Sequence, residues 1–115
     1  MSRRMPAVVR TAFDAELSAA RTSTTSEQRW AALERAHILS QPWPWPHTLA
    51  HGVMLRVALR EGDRHEAIGQ VVRLLVAAPG SALGRYPEGN TGRATVSLMQ
   101  PMPVPADLAE ILADR

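Results

Sequence analysis

The stretch Glu34-Arg-Ala-His37-Ile-Leu-Ser-Gln41-Pro-Trp-Pro-Trp-Pro46-His47-Thr-Leu-Ala-His51 decides how the chain folds. Its first half, read back through Leu33 and Trp30, repeats apolar residues every three to four positions. That is the period of an amphipathic helix. Its second half does the same through Met54 and Ala58. Between the halves, Pro42, Pro44 and Pro46 alternate with tryptophans. Prolines so placed forbid a continuous helix and favour a short extended connector. A connector this short makes the flanking helices antiparallel neighbours.

The helical period extends on both sides of this hairpin. A first helix is expected over Pro6 to Arg21, with Val9, Phe13, Leu17 and Ala20 as its stripe. Thr22-Ser-Thr-Thr-Ser26 is a polar break rich in capping residues. The second helix then covers Glu27 to Ser40 and the third Pro46 to Arg60. Glu61-Gly62-Asp63 separates the third from a fourth, Arg64 to Ala78, in which Asp63 and Glu66 read as a capping box. This fourth helix is strongly apolar, with Ile68, Val71, Val72, Leu74, Leu75 and Val76. Residues 79–104 hold several Gly and Pro and little helical period, so they are expected to form an extended strap. A short final helix is expected within 105–114, with Leu108, Ile111 and Leu112 inward. The expectation is an all-α fold: a small bundle of four main antiparallel helices, a C-terminal strap and a short last helix. It forms one domain over residues 1–115, with residues 1–5 disordered.

Composition narrows the chemistry. A chain of 115 residues with 45% hydrophobic and 21% charged residues has an ordinary globular balance. There is no cysteine, which excludes disulfides, thiolate nucleophiles, iron–sulfur clusters and cysteine-ligated zinc. Any metal site must use His, Asp, Glu or Met. All 13 basic residues are arginine, yet the net charge is only +2 and the arginines are scattered. Nucleic acid is therefore not an expected partner. No apolar run approaches a membrane span and no leader is visible, so no membrane partner and a cytoplasmic location are expected. No phosphate loop or nucleophile elbow occurs.

Three of the four histidines crowd into the hairpin. His47 and His51 are four apart and share the inward face with Met54 and Ala58. That spacing brings two imidazoles to chelating distance. His37 lies on the core side of the second helix, in its last turn, and His47 lies in the first turn of the third. The three histidines should therefore meet at one end of the hairpin. Glu34 sits three residues before His37, at the border of the same face, in the Glu-x-x-His arrangement of di-metal bundles. On the first helix Glu16 falls inside the apolar arc, where a carboxylate needs a partner such as a metal or a protonated histidine. The candidate ligands are thus His37, His47, His51, Glu34 and Glu16. They would suit a divalent transition metal: zinc, iron, nickel, cobalt or copper. Three histidines and one carboxylate make a mononuclear site; both glutamates together would extend to two ions, though a second Glu-x-x-His is lacking. A Glu–His network without metal explains the same pattern. His65 is expected to face solvent, Glu66 to serve as a cap, and Trp43 and Trp45 to act as packing wedges.

Phe13-Asp-Ala-Glu-Leu17, Leu33-Glu-Arg-Ala-His-Ile-Leu39, His47 and His51 with Met54-Leu55, Gly89-Asn-Thr-Gly92 and Pro101-Met-Pro-Val-Pro105 together carry a resemblance. In order and spacing the chain resembles domain of unknown function family 3703, from about Phe13 to Leu112. These are short bacterial proteins, often encoded beside heavy-metal resistance genes. The resemblance implies that Glu16, Glu34, His37, His47, His51 and Asn90 belong to the family pattern, and it carries no activity. The linker Trp43-Pro-Trp-Pro46 departs from that pattern. The function expected is a metal-binding helical protein in metal homeostasis, sensing or a small His/Glu-ligated metalloenzyme. The alternative is a tetratricopeptide-like interaction adaptor whose His/Glu cluster is structural; haem binding through one histidine ranks third. The apolar fourth helix leaves a homodimer open.

Overall fold

The proline-rich connector resolves into a helix start. In the computed structural model, which describes residues 4–114, the chain forms α1 (Ala7–Thr22), α2 (Ser26–Ser40), α3 (Pro44–Glu61), α4 (Arg64–Ala82) and α5 (Ala106–Ala113). No strand occurs among the described residues. α3 starts two residues before its expected position, with Trp43 as cap and Pro44 in the first helical position. First-turn N–H groups have no partner inside a helix, so Pro44 and Pro46 cost nothing there. α2 begins where the Thr25 hydroxyl accepts from the Gln28 amide at 3.1 Å. α3 closes at Gly62, and Asp63 then caps α4 by accepting from the Glu66 amide at 3.0 Å.

α4 departs from expectation at its end and on its faces. It runs through Pro79 to Ala82 instead of stopping at Ala78. The missing Pro79 N–H deprives only the Leu75 carbonyl, and Leu75 is exposed, so water can serve it. Its buried positions are Glu66, Ala67, Gln70, Arg73, Ala77 and Ser81, while Ile68, Val71, Val72, Leu75 and Val76 face outward. The helix thus turns its polar side in.

α1 packs on α2, α2 on α3 and α3 on α4, while α5 lies against α1 and α2. α1 and α4 do not pack on each other. The four main helices therefore pack as a row, each on its neighbour in sequence. The reason lies in the faces: α1 covers its stripe with α2 and α5, and α4 offers no inward apolar stripe to a fourth neighbour. One apolar cluster joins Val9, Phe13, Ala36, Leu39, Trp43 and Leu108, and another joins Trp30, Leu33, Met54, Ala58 and Ala67. Met5, expected in a disordered end, is buried in the first cluster; residues 1–3 lie outside the described residues.

The segment between α4 and α5 is tied down by polar contacts. Gln41 holds it twice, its Nε2 donating to the Pro87 carbonyl at 2.9 Å and its Oε1 accepting from the Gly89 amide at 3.0 Å. Asn90 Nδ2 donates to the carbonyls of Ser97 at 3.1 Å and Gln100 at 2.7 Å. These contacts lay the strap over the end of the α2–α3 hairpin.

Candidate metal centre

His37 comes from the last turn of α2, and His47 and His51 come from the first half of α3. All three are buried. Their Nε2 atoms converge: that of His47 lies 3.1 Å from His37 Nε2 and 3.2 Å from His51 Nε2. Among the described residues these three form one group able to hold a metal ion.

The hydrogen bonds on the far side of each ring fix where the protons are. His37 Nδ1 lies 2.7 Å from the Asn90 backbone carbonyl, which can only accept. His51 Nδ1 lies 2.7 Å from Gln70 Oε1. The orientation of that amide is set by its Nε2, which donates to Glu66 Oε2 at 2.7 Å and to the Gly92 carbonyl at 2.8 Å. His47 Nδ1 lies 2.7 Å from Ser81 Oγ, whose own proton goes to the Gln41 carbonyl at 2.5 Å. So Ser81 also accepts. Every Nδ1 is therefore the N–H donor, and each neutral ring presents a bare Nε2 lone pair to the centre. Two such lone pairs at 3.1 Å cannot hydrogen-bond to each other. They repel unless a cation lies between them.

Burial keeps the rings neutral. His37 is held well below the usual imidazole range by burial, with His51 and His47 adding to the effect. Burial brings His47 down to about 3, aided by His51. Burial also brings His51 down to about 4, with its bond to Gln70 opposing and Arg73 assisting. At neutral pH no proton has to be displaced before a ligand bond forms.

The glycine-rich turn of the strap closes over His37. Gly92 has φ +84°, and a Cβ on it would stand 2.7 Å from the His37 ring. Both backbone and space therefore demand glycine there. The Gly92 amide donates to Asn90 Oδ1 at 2.8 Å, which shapes the turn so that the Asn90 carbonyl meets His37. Behind His51, buried Glu66 accepts from Gln70, from Arg93 Nε at 2.9 Å and from the Ala94 amide at 2.9 Å. Burial pushes this carboxyl up, but those donors prevail and its pKa stays low.

The glutamates expected as ligands are engaged elsewhere. Glu16 pairs with Arg35 Nε at 2.9 Å, and Glu34 pairs with Arg93 NH1 at 3.1 Å. Each carboxylate is neutralised by a guanidinium, and the three-histidine group assembles without them. Arg35 also pairs with Asp107 of α5, and Arg93 stacks on Trp30 at 4.0 Å. His65 is exposed, as expected. Glu66 does not act as the cap residue proposed for it; its amide takes the Asp63 bond while its carboxylate turns inward.

Residues the sequence reading passed over complete the site. Gln70, Arg73 and Ser81 recur at the helical period along α4 with Glu66 and Ala77. That polar stripe was the available signal. A cavity of about 230 Å³ opens beside the histidines. The three imidazoles, Arg73, Asn90 and Tyr86 line it, and Leu75, Val76, Leu98 and Met99 form an apolar wall.

A family model described as a protein of unknown function (DUF3703) matches residues 7–112, from the start of α1 to the last turn of α5. The chain belongs to the DUF3703 family. The match spans every helix and strap residue that builds the centre in this DUF3703 chain. Comparison with curated proteins and with solved structures found no match. No described helix of the DUF3703 chain is long and apolar enough to cross a membrane.

Proposed function

We propose that this DUF3703 protein binds one divalent transition-metal ion through Nε2 of His37, His47 and His51. One observation carries the reading: all three Nδ1 protons are committed outward, which leaves three Nε2 lone pairs on ligand atoms that lie within 4.8 Å of one another. Two imidazole nitrogens on one ion, each about 2.0–2.1 Å from it, stand about 2.9–3.4 Å apart at ordinary coordination angles. Two of the three pairs, those made by His47 at 3.1 and 3.2 Å, fall in that range. Nδ1–H bonds to carbonyl, amide and hydroxyl oxygens are the usual support of ligating histidines. Neutral nitrogen donors without thiolate or carboxylate favour zinc, cobalt, nickel, iron or copper(II) over calcium and magnesium.

Three protein ligands beside an open cavity match a working site more than a closed structural one. The ion would keep a coordination position for a ligand from solution. A helical-hairpin adaptor leaves the convergence of three bare lone pairs unexplained. Elemental analysis of the purified chain tests the proposal. One ion per chain is expected, falling to near none in His47→Ala. A metal-free chain whose melting temperature ignores added zinc, cobalt, nickel, iron and copper would overturn it.

A further inference from the structure

Arg73 is the group that a three-histidine centre by itself does not explain. Its side chain leaves α4 beside the histidines and is only 7% exposed. NH1 donates to the Gly69 carbonyl at 3.1 Å and NH2 donates to the Val96 carbonyl at 2.8 Å. Those bonds use two of five guanidinium donors. No carboxylate forms an ion pair with it among the described residues; Glu66, whose charge it feels, is held by Arg93. Acted on by Glu66 only through space, the buried guanidinium has no carboxylate in direct contact, which is costly. It lines the same cavity as the three imidazoles.

The charge count points one way. Three neutral imidazoles bring no charge, a divalent ion brings two positive charges and Arg73 brings a third. Nothing anionic lines the cavity to offset them. The walls opposite are apolar: Leu75, Val76, Leu98 and Met99, each at least partly exposed at the mouth. The volume of about 230 Å³ far exceeds the roughly 30 Å³ share of one water molecule.

We infer that the cavity binds a small organic carboxylate, its head between the metal position and Arg73 and its apolar body against Leu75, Val76, Leu98 and Met99. The inference rests on the metal reading above. It explains two features together: a buried guanidinium without a direct ion-pair partner, and apolar side chains exposed around a polar pit. A guanidinium suits a carboxylate because two parallel N–H bonds match its two oxygens.

Cobalt(II)-loaded protein provides the test, since its visible absorption changes when a coordination position is filled. Benzoate is titrated as the probe, with acetate and inorganic phosphate in parallel. Benzoate should change the spectrum saturably and bind more tightly than acetate or phosphate. Arg73→Gln should take up cobalt one to one but bind benzoate roughly ten- to a hundredfold more weakly. Arg73→Lys keeps the charge and should retain more of the affinity than Arg73→Gln. Cobalt bound one to one with a spectrum that benzoate leaves unchanged would overturn the inference and spare the metal reading. So would equal benzoate affinity in wild type and Arg73→Gln, or phosphate binding better than benzoate. No uptake of cobalt would sink the metal reading and this inference with it.

Discussion

His47 is the middle member of the group, with an Nε2 neighbour on either side at 3.1 and 3.2 Å. Its loss should therefore cost more than loss of a supporting bond. Removing an acceptor behind the rings, in Ser81→Ala or Gln70→Ala, should weaken zinc about ten- to a hundredfold while leaving one site per chain. Competition with a chromogenic chelator measures this. Gly92→Ala should lose about 1–3 kcal/mol of stability in urea unfolding, because the methyl meets the His37 ring at a positive φ. The histidines were legible because four-residue spacing places His47 and His51 on one helix face. Glu16 and Glu34 are harder to read, because a carboxylate at the edge of an apolar arc looks the same whether a metal or an arginine neutralises it. Their partners, Arg35 and Arg93, lie 19 and 59 residues away in sequence, beyond the reach of any local pattern.

At the level of elements, α4 marks the limit of hydropathy. Apolar residues at 68, 71, 72, 75 and 76 suggest an inward face, yet they face outward. The buried imidazoles need acceptors, and buried polar groups are almost always partnered. Gln70 and Ser81 meet that need, and the stripe they share with Glu66 and Arg73 turns inward. Helix starts were easier to read, because capping is local. Asp63 stands beside a glycine at the head of α4, and its side chain caps that helix. Asp63→Ala should lower stability by about 1 kcal/mol, read from the urea midpoint. Zinc affinity should barely change in that variant, because the cap lies away from the donor atoms. The strap's contacts depend on distant partners such as Gln41. Its sequence therefore announced turns but not where they dock.

For the molecule as a whole, the histidines tie stability to pH. In the metal-free chain each has a folded pKa below its unfolded value of 6.5. Above about pH 6.5 both states are neutral and stability is full. As pH falls, the unfolded chain takes up protons that the folded one refuses. Stability should then drop by up to about 1.4 kcal/mol per pH unit for each histidine. The loss ends for His51 near pH 4 and for His47 near pH 3. Urea titrations between pH 7 and 5 should record this slope, and alanine at any one of the three positions should reduce it. The helical class was readable throughout the chain. The packing as a row was not, since it depends on which face α4 buries.

The three outward imidazole bonds nest within one another. His51 to Gln70 spans 19 residues, His47 to Ser81 spans 34 around it, and His37 to Asn90 spans 53 around both. Short loops lose less entropy on closure than long ones, and each inner closure shortens the path left to the next. The centre should therefore assemble from the inside outward and come apart in reverse. Amide hydrogen exchange should open first at Gly89–Gly92, freeing His37 while His47 and His51 stay paired on α3. The chain would then grip with two donors before it grips with three, so docking of the outermost loop converts a loose hold into a firm one.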